Sequence, residues 1–250
     1  MLINQAVNKK SGTRRKRGIN VTTRRAVAAQ ARRADILRTA AELFFQQGFE
    51  RTTVRDIADR LGIQTGTVFY HFASKQALLE AVMHHGLDRA LERVRRARTA
   101  GPDPLTRLRA LFRAHLEALL DPETRYPLKV LLFEARSLDA AARAAIDRRL
   151  EDYEAVYKQA LAAAQAAGVI TEEPGSVRSF VFGALNWTLS WYEPGRGLDG
   201  RALVDRFVHL ALKAAGAVES PAHPAAGEAE EPTEKLRQPK RPGAGRTGGG

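Results

Sequence analysis

The chain has 250 residues, of which 44% are hydrophobic, and its formal net charge is +12. Because it contains no cysteine, it has no disulfide framework, no thiol nucleophile and no thiolate ligand for zinc. No apolar run approaches the ~20 residues that a membrane-spanning helix needs. The sequence begins without the apolar segment of a secretion signal, so we expect a cytoplasmic protein.

The positive charge is concentrated at the beginning of the chain. Residues 1–33 contain ten of the 40 Lys and Arg residues and no acidic residue. We predict a disordered basic arm over residues 1–31, which would add salt-sensitive affinity for a polyanion such as DNA. The alternative is a tail that only keeps the chain soluble.

Helical spacing of apolar residues, broken by Gly, Pro and capping residues, predicts an all-α protein without a sheet. Thr53 and Asp56 form a predicted capping box, and Ser74 is a further predicted cap. A tail rich in Pro, Ala, Gly and Glu is predicted to be disordered over residues 216–250. The predicted helices are 33–48, 53–62, 65–72, 74–98, 104–120, 125–136, 139–167, 173–192 and 199–215.

The second and third predicted helices are short and are joined by a tight turn at Gly62, which indicates a helix-turn-helix. In that motif the second helix of the pair enters the major groove of DNA with its N-terminal residues. Because it has no side chain, Gly66 would allow the end of this helix to approach the DNA closely. Thr65 and Thr67 offer hydroxyls to phosphate and methyl groups to thymine.

The remaining residues of this helix are expected either to pack in the core or to contact DNA. Val68, Phe69 and Phe72 are expected in the core, with Val68 and Phe72 facing inward. Tyr70 and His71 can donate hydrogen bonds to the phosphates that flank the groove.

The segment TTVRDIADRLGIQTGTVFYHFASKQALLEAV resembles the DNA-binding domain of the TetR family of bacterial transcription repressors, over about residues 33–83. The resemblance implies a homodimer in which three N-terminal helices bind DNA and about six further helices bind a small ligand and dimerise. It implies a helix-turn-helix DNA-binding domain over residues 32–74 and a ligand-binding and dimerisation domain over residues 75–215.

Matching positions of the family imply further DNA contacts. Thr52 and Thr53 would contact phosphate at the start of the second helix, Arg55 would contact a base or a phosphate, and Lys75 would follow the recognition helix. The complete predicted DNA-binding set is Thr52, Thr53, Arg55, Thr65, Gly66, Thr67, Tyr70, His71 and Lys75.

Within residues 177–200, the part that belongs to the predicted helix 173–192 has two apolar faces. Both of these faces must be buried. The resemblance offers two neighbours for them, a ligand cavity and a partner subunit. Ordinary core positions for both tryptophans are the alternative. We assign Phe180, Gly183 and Ala184 to dimerisation, and Trp187 and Trp191 to ligand binding.

Residues 126–161 and the run Asn186-Trp187-Thr188 resemble a subgroup of these repressors that acyl-CoA thioesters release from DNA. A CoA ester needs a cavity for its acyl chain and cations for its phosphates. Arg149, Tyr153 and Tyr157 share one helical face that could stack adenine and pair with phosphates; a solvated charged face is the alternative. Phe133 is a further predicted ligand contact.

The predicted partners are an operator in double-stranded DNA, a small-molecule effector and a second copy of the chain, with no membrane. One rival is a repressor of an efflux or aromatic-compound operon that responds to a hydrophobic or aromatic ligand. Others are a helical enzyme and a protein that compacts nucleic acid non-specifically through its basic arm. No spaced carboxylate pair, Ser-His-Asp arrangement or metal cluster favours an enzyme, so we predict no catalytic residue, metal or cofactor.

Overall fold

The computed structural model describes residues 21–218. This part of the chain is all-α, as predicted, and contains no strand. No helix within it is both long and apolar enough to cross a membrane. The helices are α1 Val21–Gln47, α2 Val54–Leu61, α3 Thr65–His71, α4 Lys75–Ala97, α5 Pro104–Leu120, α6 Pro122–Glu134, α7 Ala140–Ala166, α8 Pro174–Asn186, α9 Thr188–Trp191 and α10 Gly200–Ala214, with a 3₁₀ turn at Ala135–Ser137 between α6 and α7.

Both predicted disordered ends are too long. Residues 21–31 belong to α1, because this Ala- and Arg-rich stretch has high helix propensity and no Gly or Pro before Gly48. At the other end, Val218 donates a backbone hydrogen bond to the Val169 carbonyl (3.1 Å). The remaining residues of both predicted ends, 1–20 and 219–250, lie outside the described residues.

The helix predicted over 173–192 is interrupted at Trp187, between α8 and α9. The Thr188 hydroxyl donates to the Leu185 carbonyl at 2.7 Å, and such side-chain bonds compete with the helical ladder. Trp187 nevertheless keeps right-handed helical backbone angles (φ −62°, ψ −19°), so the interruption is slight.

The helix α4 packs against α1, α5, α6 and α7, and α6 packs against both α4 and α1. The helices α4 and α6 approach each other closely at Gly86, where an added Cβ would lie 2.7 Å from Cβ of Pro127. The buried residues form one hydrophobic core that includes α1–α3 as well as the later helices. A movement of α6 therefore reaches the helix-turn-helix through side chains already in contact.

Candidate DNA-binding surface and effector cavity

The ends of α2 are fixed by the residues that the sequence predicts. Thr53 Oγ1 accepts a hydrogen bond from the Asp56 N–H (3.1 Å), and the Asp56 carboxylate accepts one from the Thr53 N–H (2.8 Å). These hydrogen bonds lower the pKa of Asp56. Gly62 ends α2 at φ +63°, in the left-handed region that glycine adopts without strain. The predicted capping box and turn are confirmed.

The recognition helix α3 presents an aromatic face to solvent. Val68 and Phe72 are buried, as predicted, because residues four apart share one helical face. Phe69 is 50% exposed, so its prediction as a core residue is wrong. Tyr70 is 82% exposed, and the half-buried ring of His71 lies 5.1 Å from its ring.

Four further predicted contacts also lie on accessible parts of α2 and α3. Arg55 is exposed and lies 3.7 Å from Asp59. Thr65 and Thr67 are half-buried, and Gly66 is exposed with no atom within 4 Å of an added Cβ. Their roles at DNA stay predictions.

Thr52 is wrongly predicted as a DNA contact, because its hydroxyl is buried and bound within the chain, whereas Lys75 stays a prediction with two of its three N–H donors already bound. Thr52 is fully buried, and its hydroxyl lies 2.9 Å from the Gly48 carbonyl and 3.2 Å from that of Leu43. The Lys75 ammonium donates to the carbonyls of Phe49 (2.9 Å) and Glu50 (3.2 Å). Both side chains satisfy backbone oxygens at and beyond the end of α1.

An apolar cavity of about 240 Å³ lies among α4, α5, α6, α7 and α8. We refer to it as the effector cavity. Three of its leucines come from two successive turns of α6, so this helix forms one wall of the cavity. The leucines that line it are Leu87, Leu119, Leu128, Leu131, Leu132 and Leu150.

A polar cluster forms one part of the cavity wall. His115 Nε2 lies 3.1 Å from Asn186 Oδ1, and His115 Nδ1 lies 2.7 Å from the Tyr153 hydroxyl. Since the amide oxygen only accepts, Nε2 carries the proton and Nδ1 accepts from Tyr153. The Phe182 ring stacks on the imidazole at 4.8 Å.

Burial determines the charge states in this cluster. It lowers the pKa of His115 to about 4, although the hydrogen bond with Asn186 partly opposes the shift. It also raises the pKa of Tyr153 and that of Tyr157. All three groups are therefore neutral near pH 7, and the Asn186 amide N–H groups have no acceptor among the described residues.

The predicted ligand face on α7 is largely wrong. Tyr153 lines the effector cavity, but Tyr157 is fully buried and donates to the Leu111 carbonyl (3.0 Å). Arg149 pairs with Asp88 of α4 at 2.9 Å. Arg149, Tyr153 and Tyr157 do share one face of α7, as predicted. This face packs against α4 and α5, so no space is left there for an adenine ring to stack. Phe133 lies outside the cavity, in a separate groove.

The predicted roles of Trp187 and Trp191 as cavity residues, and the alternative that both are core, are also wrong. Their exposed fractions are 63% and 44%, and neither lines the effector cavity. They continue an exposed stripe along α8 and α9, whereas the neighbouring stripe is buried. The exposed stripe consists of Phe180, Gly183, Ala184, Trp187 and Trp191, and the buried one of Val177, Val181, Leu185, Thr188 and Tyr192.

Sequence reasoning missed His115, Phe182 and the hydrogen-bonding role of Asn186. The available signal was the sequence LFRAHLEALL, in which His115 is a polar residue on the apolar face of α5. A lone histidine of this kind is as compatible with a core as with a ligand site. Only the tertiary structure brings it to Asn186, which is 71 residues away in the sequence.

Two family models match this chain. Residues 36–82 match bacterial regulatory proteins of the tetR family, and residues 101–215 match the tetracyclin repressor-like C-terminal domain. The chain belongs to the TetR family. This is a family of regulatory proteins, in agreement with the expectation that the chain is not an enzyme.

The curated relatives include repressors named KstR2. The one from Mycobacterium tuberculosis is 40% identical over 36% of this chain and 44% of its own length, so the match spans less than half of that relative. The one from Mycolicibacterium smegmatis is 29% identical over 73% of this chain and 89% of that protein.

Solved structures also resemble this TetR protein over most of their length. AibR in complex with isovaleryl coenzyme A and operator DNA is 28% identical, with a TM-score of 0.64, and the match covers 72% of this chain and 97% of AibR. A structure described as the superantigen PfiT is 35% identical, with a TM-score of 0.58, and the match covers 71% of this chain and 94% of that one.

The neutral, buried His115 makes the stability of the protein depend on pH. The pKa is about 4 in the folded protein and 6.5 in an unperturbed histidine, so the unfolded chain binds more protons between these values. Stability attributable to His115 is therefore complete above the upper value and falls as the pH drops to the lower one, by roughly 3 kcal/mol in total. We expect His115→Gln to remove this contribution, measured by urea unfolding between about pH 7 and about pH 4.

The control is His209→Gln, a histidine substitution at an exposed position of α10, which should retain the loss of stability that His115 causes. A loss of stability as steep in His115→Gln as in the wild type would contradict a histidine that is neutral in the folded protein.

Proposed function

We propose that this TetR-family protein is a homodimeric transcriptional repressor that a small-molecule effector, an acyl-CoA thioester, releases from operator DNA. The observation that carries the proposal is that one helix joins the two sites. Ser74 caps α4 immediately after the recognition helix, and Leu87 and Ala90 of the same helix line the effector cavity.

The exposed residues of α2 and α3 support the DNA-binding part of the proposal. The Arg55 guanidinium and the Tyr70 hydroxyl reach into solvent, where no part of the described chain covers them. The N-terminal half of α1 adds Arg24, Arg25 and Arg32, all exposed. Cations and hydroxyls of this kind bind the phosphates of DNA, and the N-terminal residues of α3 reach base edges.

The two kinds of contact predict different mutant phenotypes. Tyr70→Ala should weaken binding to all DNA sites by a similar factor, about fivefold, because a phosphate contact carries no sequence information. Thr65→Ala should instead change the preferred base pairs. Selection from a randomised DNA pool, followed by titration of the selected sites by fluorescence anisotropy, measures both effects.

Arg201→Ala, a loss of an exposed charge on α10, serves as the control and should leave both quantities unchanged. The absence of any preferred sequence for the wild type at moderate salt would exclude a specific repressor and favour non-specific compaction of nucleic acid.

The exposed stripe on α8 and α9 supports the homodimer. Phe180 is 66% exposed, and an added Cβ at Gly183 would meet no atom within 4 Å, so nothing within the described chain requires a small residue there. Leu210 on α10 is also 51% exposed. A contiguous apolar face of this kind marks an interface, and small residues within it let a partner helix approach closely.

We expect Gly183→Leu to shift the dimer towards monomer, because the larger side chain would hold the two copies apart. The free energy of unfolding of the monomer should not fall, since the position is open within one chain and leucine favours a helix more than glycine does. Analytical ultracentrifugation over a concentration series tests this. The control is Ala162→Leu, at an exposed position on α7, and a stable Gly183→Leu dimer would place the interface elsewhere.

The size and chemistry of the effector cavity support a small acyl group as the ligand. A cavity of about 150 Å³ accommodates benzene, so one of this size accommodates about ten non-hydrogen atoms. The Asn186 amide can donate to one carbonyl or hydroxyl oxygen of the ligand. Apart from the cluster of His115, Tyr153 and Asn186 and the paired carboxylate of Glu154, the residues that line the cavity are apolar, and the related AibR has been crystallised with isovaleryl coenzyme A.

Two helices connect the effector cavity with the DNA-binding helices. Besides α4, helix α6 contributes Leu128 to the cavity and Lys129 to the contact with α1, where its ammonium lies 4.1 Å from the ring centre of Phe45. An effector acts only through a preference for one arrangement of these helices. A hundredfold loss of DNA affinity requires a preference of about 2.7 kcal/mol.

The effector proposal is tested by titrating the complex with selected DNA using hexanoyl-, octanoyl- and decanoyl-CoA, the matching free acids, and CoA alone. We expect only the thioesters to release DNA. When an effector accepts a hydrogen bond from the Asn186 amide through a carbonyl or hydroxyl oxygen, Asn186→Leu should weaken its release of DNA by about tenfold. The affinity for DNA in the absence of effector should stay unchanged. Equal release by free acids or by aromatic compounds would favour the efflux or aromatic-compound repressor instead.

A further inference from the structure

A groove of about 420 Å³ lies at the surface where α6 ends and α7 begins. We call it the outer groove. Phe133 and Arg136 line it from the end of α6 and the 3₁₀ turn, and Arg143 and Asp147 line it from α7. No role in DNA binding or in the dimer follows for these residues from the features described above.

The outer groove and the effector cavity share a wall. Leu131, Leu132 and Leu150 line both. Leu132 is 45% exposed to solvent and also lines the cavity, so its side chain is the most exposed part of the shared wall. A rotation of the Leu132 side chain would open the effector cavity into the outer groove.

The charge of the outer groove suits an anion. Arg136 is exposed and makes no hydrogen bond or ion pair with another side chain of the described part. Arg143 donates through Nε to Asp147 (2.9 Å), which leaves its terminal N–H groups for another acceptor. Arg136 and Arg143 thus have N–H groups available for a ligand. The carboxylate of Glu154 on the wall of the effector cavity is instead already paired within the chain, with Arg178 (2.7 Å) and Lys158 (3.5 Å).

We propose that the outer groove binds the anionic, nucleotide-bearing part of an acyl-CoA whose acyl group occupies the effector cavity. The inference rests on the proposed effector and adds where its phosphates bind. Arg136 and Arg143 pair with phosphate oxygens, and Phe133, 44% exposed, offers a face to the adenine. These residues take the roles that the sequence suggested for Arg149 and Tyr157.

The spacing along α7 agrees with a long ligand. Arg143, Leu150 and Tyr153 follow one another from the groove, through the shared wall, to the polar cluster. Ten residues separate Arg143 from Tyr153, which corresponds to about 15 Å along a helix axis. A free acid that fits within the cavity is too short to span this distance, whereas the pantetheine arm of CoA extends a thioester beyond the wall.

The test compares two probes that carry the same acyl thioester, octanoyl-CoA and octanoyl-N-acetylcysteamine, of which the second lacks the nucleotide and phosphates. Calorimetric titration of the full chain should show tighter binding of the CoA ester. Arg136→Ala should weaken octanoyl-CoA about tenfold and leave the smaller thioester unchanged, and Arg143→Ala should do the same. The control is Arg148→Ala, an exposed arginine on α7 outside the groove, which should bind both probes like the wild type.

Higher salt should reduce the advantage of the CoA ester in the wild type and much less in Arg136→Ala, because ion pairs at the surface are screened. Equal affinity of the wild type for both probes would overturn the proposal that the outer groove binds the nucleotide and phosphates. It would leave the binding of the acyl group in the effector cavity standing. An octanoyl-CoA affinity that both arginine substitutions leave intact would also overturn it. Binding of neither probe by the wild type would overturn the proposed acyl-CoA effector and the groove together.

Discussion

The close contact between α4 and α6 at Gly86 is the constraint on which the rest of this structure depends. With Cβ of Pro127 only 2.7 Å from the position of an added Cβ, no residue other than glycine fits at position 86 unless the helices separate. Both helices line the effector cavity, and α4 also begins beside the recognition helix. The cavity and the DNA-binding helices are therefore parts of one packed unit, in which the distance between α4 and α6 is fixed at one point.

The other side of α6 is held by cations on aromatic rings rather than by ion pairs. Lys129 is buried against Phe45 and Tyr126, and Arg125 lies over the Tyr192 ring. Burial lowers the pKa of Lys129, and nearby Arg125 lowers it further. A cation–π contact contributes about 1–2 kcal/mol, similar to the coupling free energy of a typical allosteric site. This single contact is therefore of a size that a typical effector could offset, whereas α1 and α6 are also held together by Phe45 packing on Tyr126 and Phe133.

Local signals predicted the DNA-binding half better than the effector half. Thr53, Asp56 and Gly62 act within a few residues of their own positions, so their roles could be read from the sequence. Tyr157 and Arg149 could not be placed in this way, because their spacing identifies a helical face but not the helix that covers it. Lys75 shows the same limit, since its acceptors at Phe49 and Glu50 lie 26 and 25 residues away.

The two faces of α8 give the effector a route to the proposed dimer as well as to DNA. Phe182 and Asn186 face the effector cavity, while Phe180, Gly183 and Trp187 on the same helix are exposed. A ligand that shifts α8 therefore changes the surface offered to the second subunit. Because binding free energies are reciprocal, formation of the proposed dimer would in turn change the affinity of the cavity for such a ligand. The repressor would then sense its effector as a dimer, not as two independent chains.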